Sequence, residues 1–124
     1  YRPQISIYNL EALDFIESVI LKTHRSFTFF DPPYYNKGPV LYTNFYSHDD
    51  HQKLADTITH TLRRRKWIVT YDNSNEINKM YSRTKSIEFS LQYALQSKRF
   101  GSEVMFFSSK TLRPSNEDKY IKIL

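Results

Sequence analysis

Cysteine is absent from the 124-residue sequence, and no apolar run approaches the ~20 residues that a membrane-spanning helix requires. The first absence excludes a disulfide framework and thiolate metal ligands, and it fits a reducing cytoplasm, where we expect the protein. Three acidic residues interrupt positions 1–20 and argue against a signal peptide there: Glu11, Asp14 and Glu17. His48 and His51 lack a third ligand nearby, so no metal site is predicted.

The composition is that of one globular domain, with 40% hydrophobic and 25% charged residues. A net charge of +5 favours an anionic partner such as nucleic acid. Ten tyrosines and nine phenylalanines among basic residues are typical of a surface that stacks on bases, although most of these rings would simply fill the core. Because the chain starts at Tyr1 without a methionine, we expect it to be part of a longer protein.

The hydrophobic pattern alternates between strands and helices. It predicts strands over residues 5–8, 26–31, 67–71, 87–95 and 104–107. It predicts three helices: residues 11–24, a second helix that begins at an N-cap at Ser47 and ends at about residue 62, and residues 76–81. This order predicts an α/β fold with a mostly parallel sheet and a late antiparallel hairpin. The basic run at 63–66 is interpreted as a favourable helix C-terminus or, alternatively, as a DNA-binding patch.

The tetrapeptide Asp31-Pro32-Pro33-Tyr34 directly follows an apolar strand segment. The prolines remove two backbone donors and stiffen the turn, which leaves carbonyl groups free at the carboxyl end of the strand, where ligands of α/β sheets bind. This arrangement suits a planar base with an exocyclic amine. The Asp31 carboxylate and the Pro32 carbonyl would accept from the two N–H bonds, and Tyr34 would stack on the base for ~1–3 kcal/mol.

The tetrapeptide and three further motifs resemble the Dam-like, DPPY-type adenine-N6 DNA methyltransferases, which use S-adenosyl-L-methionine. The further motifs lie at residues 42–55, 67–73 and 90–104 and follow the family's order. The resemblance implies a Rossmann-like class I methyltransferase fold. Residues 1–108 would form the C-terminal portion of the catalytic domain, and 109–124 a tail.

The resemblance also implies roles for individual residues. The target would be a flipped-out adenine of double-stranded DNA, because its amine is unreachable in the stack. The implied catalytic residues are Asp31, Pro32, Pro33 and Tyr34. The implied cofactor-binding residues are Glu11, Asp31, Phe45 and Tyr46. The implied DNA-binding residues are Tyr93, Lys98 and Arg99. Asp14 is an alternative to Glu11, and both could be ordinary first-turn acids. A role in packing alone is the alternative for Phe45, Tyr46 and Tyr93. Solvated charges on a loop are the alternative for Lys98 and Arg99. Asp72 is either a polar residue at the edge of the site or a turn former.

The sequence departs from the family in two respects. The Gly-rich cofactor motif is absent, since only Gly38 and Gly101 occur, and so is the target-recognition region. By resemblance, two central strands belong between the strands at 5–8 and 26–31, so we expect the fold to be incomplete at its N-terminal side. We therefore expect the missing N-terminal half of the same protein to be a partner, and this chain to be inactive alone.

Two other functions remain open at this stage. An RNA guanine-N2 methyltransferase would also carry an Asp-Pro-Pro-aromatic motif, although the 42–55 segment argues against it. A non-catalytic remnant could bind DNA through its basic residues. The recognition sequence, and whether the protein belongs to a restriction–modification system, a phage or a solitary enzyme, are left open by the sequence.

Overall fold

The computed structural model describes residues 4–37, 43–90 and 102–111 and the backbone of 122–123. Its elements, in chain order, are α1 (Ala12–Ser18) with a 3-10 turn (Ile20–Lys22), β1 (Phe27–Phe30), α2 (His48–Asp56) with a π-helical turn (Thr57–Thr61), β2 (Lys66–Asp72), α3 (Asn75–Met80), β3 (Lys85–Ser90), β4 (Glu103–Phe107) and β5 (Lys122–Ile123). Within these residues, the helices are too short or too polar to cross a bilayer.

The strands form one mixed sheet in the order β1-β2-β4-β3, with the two-residue β5 added beside β3. β1 and β2 are parallel, whereas β4 runs antiparallel to both of its neighbours. The mixed α/β architecture is consistent with a methyltransferase fold. The expectation of a mostly parallel sheet is wrong for the described strands, because the predicted hairpin places β4 between β2 and β3 and so contributes antiparallel pairs on both sides.

The predicted first strand is not formed. Residues 5–8 are irregular, and the side chains of Ile5 and Ile7 are 79% and 92% exposed. Alternating apolar residues indicate that a segment is able to pair as a β-strand, but a strand also needs a neighbouring strand with free backbone groups. Within the described part of the chain this segment has none.

The strand at β1 and the first helix are less buried than predicted. Phe30 reaches the core, but Phe27 and Phe29 are each 56% exposed, because β1 is an edge strand here and part of its surface is uncovered. In the first helix, which is shorter than predicted, Ile16 and Ile20 are buried. Leu13 and Leu21 of the same predicted stripe stay more than a third exposed. Leu21 lies in the 3-10 turn, where the α-helical spacing that predicted the stripe no longer holds.

The α2 segment follows the sequence prediction closely. Ser47 is its N-cap, and a capping box with Asp50 satisfies the first backbone donors. The predicted stripe is completely buried: Leu54, Ala55, Ile58 and Leu62. It packs in one core cluster with the buried β2 residues Trp67, Val69 and Tyr71. The Trp67 indole N–H also donates to the Leu62 carbonyl at 3.1 Å, which fixes the turn between α2 and β2.

The parallel pairing of β1 with β2 positions the candidate site. Their register joins Thr28 to Trp67 and Phe30 to Val69, so both strands finish at the same edge of the sheet. Asp31 directly follows β1, and Asp72 is the last residue of β2. The prediction that two polar strand ends meet at one edge is therefore confirmed.

Candidate active site

Asp31 is exposed at the carboxyl end of β1, where a neighbouring strand orients its carboxylate. Thr70 of β2 donates a hydrogen bond from Oγ1 to Asp31 Oδ1 over 3.2 Å. This contact follows from the register, because Asp31 comes one residue after Phe30 and Thr70 one after Val69. One carboxylate oxygen of Asp31 is thereby held by the neighbouring strand.

Asp72 fixes the backbone that follows the tetrapeptide. Its two carboxylate oxygens accept from the backbone N–H of Tyr35 at 2.7 Å and of Asn36 at 2.9 Å. The Asp72 side chain is buried, so these charge-assisted hydrogen bonds are shielded from water. The sequence left Asp72 open between a site-edge residue and a turn former. The structure shows that it stabilises the turn next to the motif, from a different strand.

Tyr34 is anchored by the second strand of the predicted hairpin. Its hydroxyl donates to the carboxylate of Glu103, the first residue of β4. The Lys37 ammonium lies 5.9 Å from the centroid of the Tyr34 ring and covers one ring face. Nothing local in the sequence indicated the pairing of Tyr34 with Glu103.

A groove of about 720 Å³ joins the tetrapeptide to the segment before α1, and we call it the motif groove. Asp31, Pro32 and Pro33 line it together with Glu11 and Tyr46. Apolar side chains complete its wall: Tyr8, Leu10, Phe15, Phe29, Phe30 and Leu54. The structure thus brings four sequence-predicted cofactor and catalytic positions together with Glu11.

A second groove of about 620 Å³ adjoins the first through Glu11, Ala12, Tyr46 and Leu54, and we call it the loop groove. Phe45 lines the loop groove rather than the motif groove, and it is about half exposed. Asp14, the alternative to Glu11, also lies here. Burial, followed by the negative charges of Glu11 and Asp50, raises the pKa of Tyr46 above its usual value.

A buried histidine packs against aromatic side chains at this edge of the sheet. His51 is 1% exposed, and its Nδ1 lies 3.0 Å from the hydroxyl of Tyr71, while the rings of Tyr35 and Tyr46 pack against it. Burial lowers the pKa of His51, against the opposing effect of the nearby Asp72 carboxylate. The neutral imidazole therefore serves as a packing and hydrogen-bonding element between the motif and the α2 segment. Sequence reasoning considered His51 only as a metal ligand and missed this packing role.

The predicted DNA-binding residues Tyr93, Lys98 and Arg99 lie outside the described residues, and their roles stay predictions.

A strand end that carries Asp-Pro-Pro-Tyr above a mixed α/β sheet agrees with the resemblance to enzymes that methylate amino groups. Comparison with protein families specifies the class further. The D12 class N6 adenine-specific DNA methyltransferase family matches residues 4–95, and the chain belongs to this family. The match covers the tetrapeptide, both grooves and β1 to β3. A comparison with individual curated proteins gave no match.

Proposed function

We propose that this chain carries the catalytic motif of a site-specific DNA methyltransferase that transfers a methyl group from S-adenosyl-L-methionine to N6 of a flipped-out adenine. The observation that supports it best is the motif groove. Asp31, Pro32 and Pro33 line this groove together with Glu11 and Tyr46, and it is open to solvent. Acceptors for an amine and a binding surface for a nucleoside thus meet at one sheet edge.

The chemistry required of Asp31 follows from the weakness of the nucleophile. The lone pair of an adenine amine is delocalised into the ring, so two acceptors must draw its N–H bonds toward tetrahedral geometry. The Thr70 hydroxyl holds Asp31 Oδ1, which orients Oδ2 toward the amine before the reaction. The Pro32 carbonyl supplies the second acceptor. Asp31 need not be a strong base, because the alkylated ammonium is acidic enough to lose its proton.

Tyr34 provides the stacking face for the extruded base. Extrusion of the base from the duplex costs a few kcal/mol. Stacking of the base on an aromatic ring offsets this cost by ~1–3 kcal/mol. Glu103 holds the Tyr34 hydroxyl and Lys37 covers one ring face, so the ring is ordered before the base arrives.

The donor set of the two grooves fits S-adenosyl-L-methionine. The exposed Glu11 carboxylate suits the paired hydroxyls of a ribose, and Tyr46 with the prolines suits the flat adenine ring. Phe45 and Asp14 would bound the neighbouring part of the molecule. The cofactor supplies an electrophilic methyl group. The role of these residues is to bind and orient it beside the amine held by Asp31.

We further propose that the 124-residue chain needs a complementing N-terminal half. The sequence contains no Gly-rich loop, and β1 has β2 as its only partner among the described strands. Phe29 of β1 and Ile7 are exposed apolar side chains, which further strands beside β1 would cover. Detectable methyl transfer by this chain alone would contradict the proposal.

The test of the catalytic proposal uses the complete protein with Asp31→Ala. We expect transfer of labelled methyl groups to duplex DNA to fall at least about 100-fold, the typical effect of removing one preorganised electrostatic contact. Cofactor binding, measured by calorimetry, should be largely retained. Asp49→Ala, which removes an exposed acid at the start of α2, is the matched control and should leave transfer nearly unchanged.

Two results would refute these assignments. Near-normal transfer by the Asp31→Ala protein would remove Asp31 from the chemistry. Transfer to RNA guanine rather than DNA adenine by the unaltered protein would replace the proposed substrate.

A further inference from the structure

A third groove, lined by several basic residues, lies at the opposite end of the same two parallel strands, β1 and β2. We call it the basic groove, and its volume is about 480 Å³. It lies at the amino-terminal ends of β1 and β2, where Phe27 pairs with Lys66. Its lining residues among the described parts of the chain are His24, Arg25, Ser26, Phe27, Arg64, Arg65, Lys66 and Lys110, and none of these is acidic.

The positive charges of the basic groove come from three separate segments. Arg25 precedes β1, Arg64 and Lys66 lie at the start of β2, and Lys110 follows β4. The sequence showed only the run at 63–66, which a helix C-terminus would explain. A helix end does not explain why Arg25 and Lys110 lie at the same place. Like charges repel when they are clustered, so their convergence favours an anionic ligand.

One member of the cluster has a structural role. The guanidinium of Arg65 donates to the backbone carbonyl of Thr23 and, over 3.3 Å, to that of Leu21. Arg65 thereby ties the loop before β1 to the loop before β2 and holds the walls of the basic groove together. The exposed side chains of Arg25, Arg64, Lys66 and Lys110 extend from this fixed backbone into solvent.

We propose that the basic groove binds the phosphodiester backbone of DNA, on a segment other than the one that presents the target adenine. β2 runs for seven residues from Lys66 to Asp72, which places the basic groove about 20 Å from the catalytic edge at ~3.3 Å per residue. A base held at Asp31 and a phosphate held at Arg64 therefore belong to different stretches of nucleic acid. Contacts of this kind are independent of base sequence and keep an enzyme on DNA between target sites.

Salt dependence of DNA binding tests the basic groove directly. Each phosphate contact with B-DNA contributes a slope of about 0.9 to the fall of log K with log salt. Removing two contacts with Arg64→Gln/Lys110→Gln should therefore reduce the slope by up to about 1.8 and weaken binding at low salt. The probe is a fluorescent 30-bp duplex, with binding by the full chain followed by anisotropy from low to moderate NaCl.

A matched control separates the groove from net charge. Lys79→Gln/Arg83→Gln also removes one exposed lysine and one exposed arginine, neither of which lines the basic groove. We expect this control to keep a slope close to that of the unaltered chain. Equal slopes and affinities for the two double variants would overturn the proposal, as would an absence of measurable DNA binding by the unaltered chain. Methyl transfer is not the readout, so failure here is distinguishable from failure of the catalytic proposal.

Discussion

Asp72→Asn should destabilise the protein far more than a change of one side-chain atom suggests. The Asp72 carboxylate is 5% exposed and accepts from two backbone N–H groups of the turn after the tetrapeptide. Asparagine keeps one acceptor oxygen, but its amide nitrogen is a donor and would face a second donor. Hydrogen bonds to charged groups contribute about 1.5–3 kcal/mol each, and an unpaired buried donor adds a further penalty, so we expect a loss of about 2–4 kcal/mol.

The single tryptophan provides the assay for Asp72→Asn. Trp67 is 2% exposed in β2, the strand that carries Asp72, so its fluorescence reports unfolding in urea. The matched control is Asp49→Asn at an exposed position of α2, which should change the free energy of unfolding by less than about 0.5 kcal/mol. If Asp72→Asn behaved like this control, the carboxylate would not be what fixes the turn.

Two smaller effects should follow from the α2 segment. Ser47→Ala removes the capping box and should lower the free energy of unfolding by about 1 kcal/mol in urea titrations, whereas exposed Ser82→Ala should not. Burial lowers the pKa of His51 below 6.5, so as pH falls through 6.5 the unfolded chain binds a proton that the folded chain does not. The contribution of His51 to the free energy of unfolding should therefore be complete above pH 6.5 and decrease below it. His51→Gln should make that decrease shallower, whereas His60→Gln, at an exposed position, should leave it unchanged. The opposite pattern would refute the assignment.

The parts of the fold that local chemistry determines were predictable from the sequence. Ser47 followed by acids identifies a helix start in any context, and its capping box is confirmed. A short apolar run that ends in a polar residue indicates a parallel strand, and two such runs placed Asp31 and Asp72 at one edge, although β1 is less buried than this pattern predicts. In both cases the determining interactions lie within a few residues, or follow from the direction in which parallel strands must run.

Contacts between distant segments were not predictable in the same way. Tyr34 and Glu103 are 69 positions apart, and neither carries a local signal for the other. The first strand failed for a related reason, because alternation at 5–8 indicates a surface able to pair but not whether a partner strand is present. The convergence of Arg25 and Lys110 on the run at 63–66 likewise depends on the arrangement of β1, β2 and β4.

The two sides of the candidate site depend on different parts of the chain. Thr70, Asp72 and Glu103 hold the tetrapeptide and its turn, and all three lie on β2 or β4 within the central sheet. Glu11 lines the motif groove with Asp31 and comes from an irregular segment that has no strand neighbour among the described residues. The proposed acceptors for the amine are therefore held by contacts within the described residues, whereas we propose that the cofactor side depends on strands that would pair with β1 on the side left open among the described strands. A complementing half would thus act first on cofactor affinity and only through it on transfer.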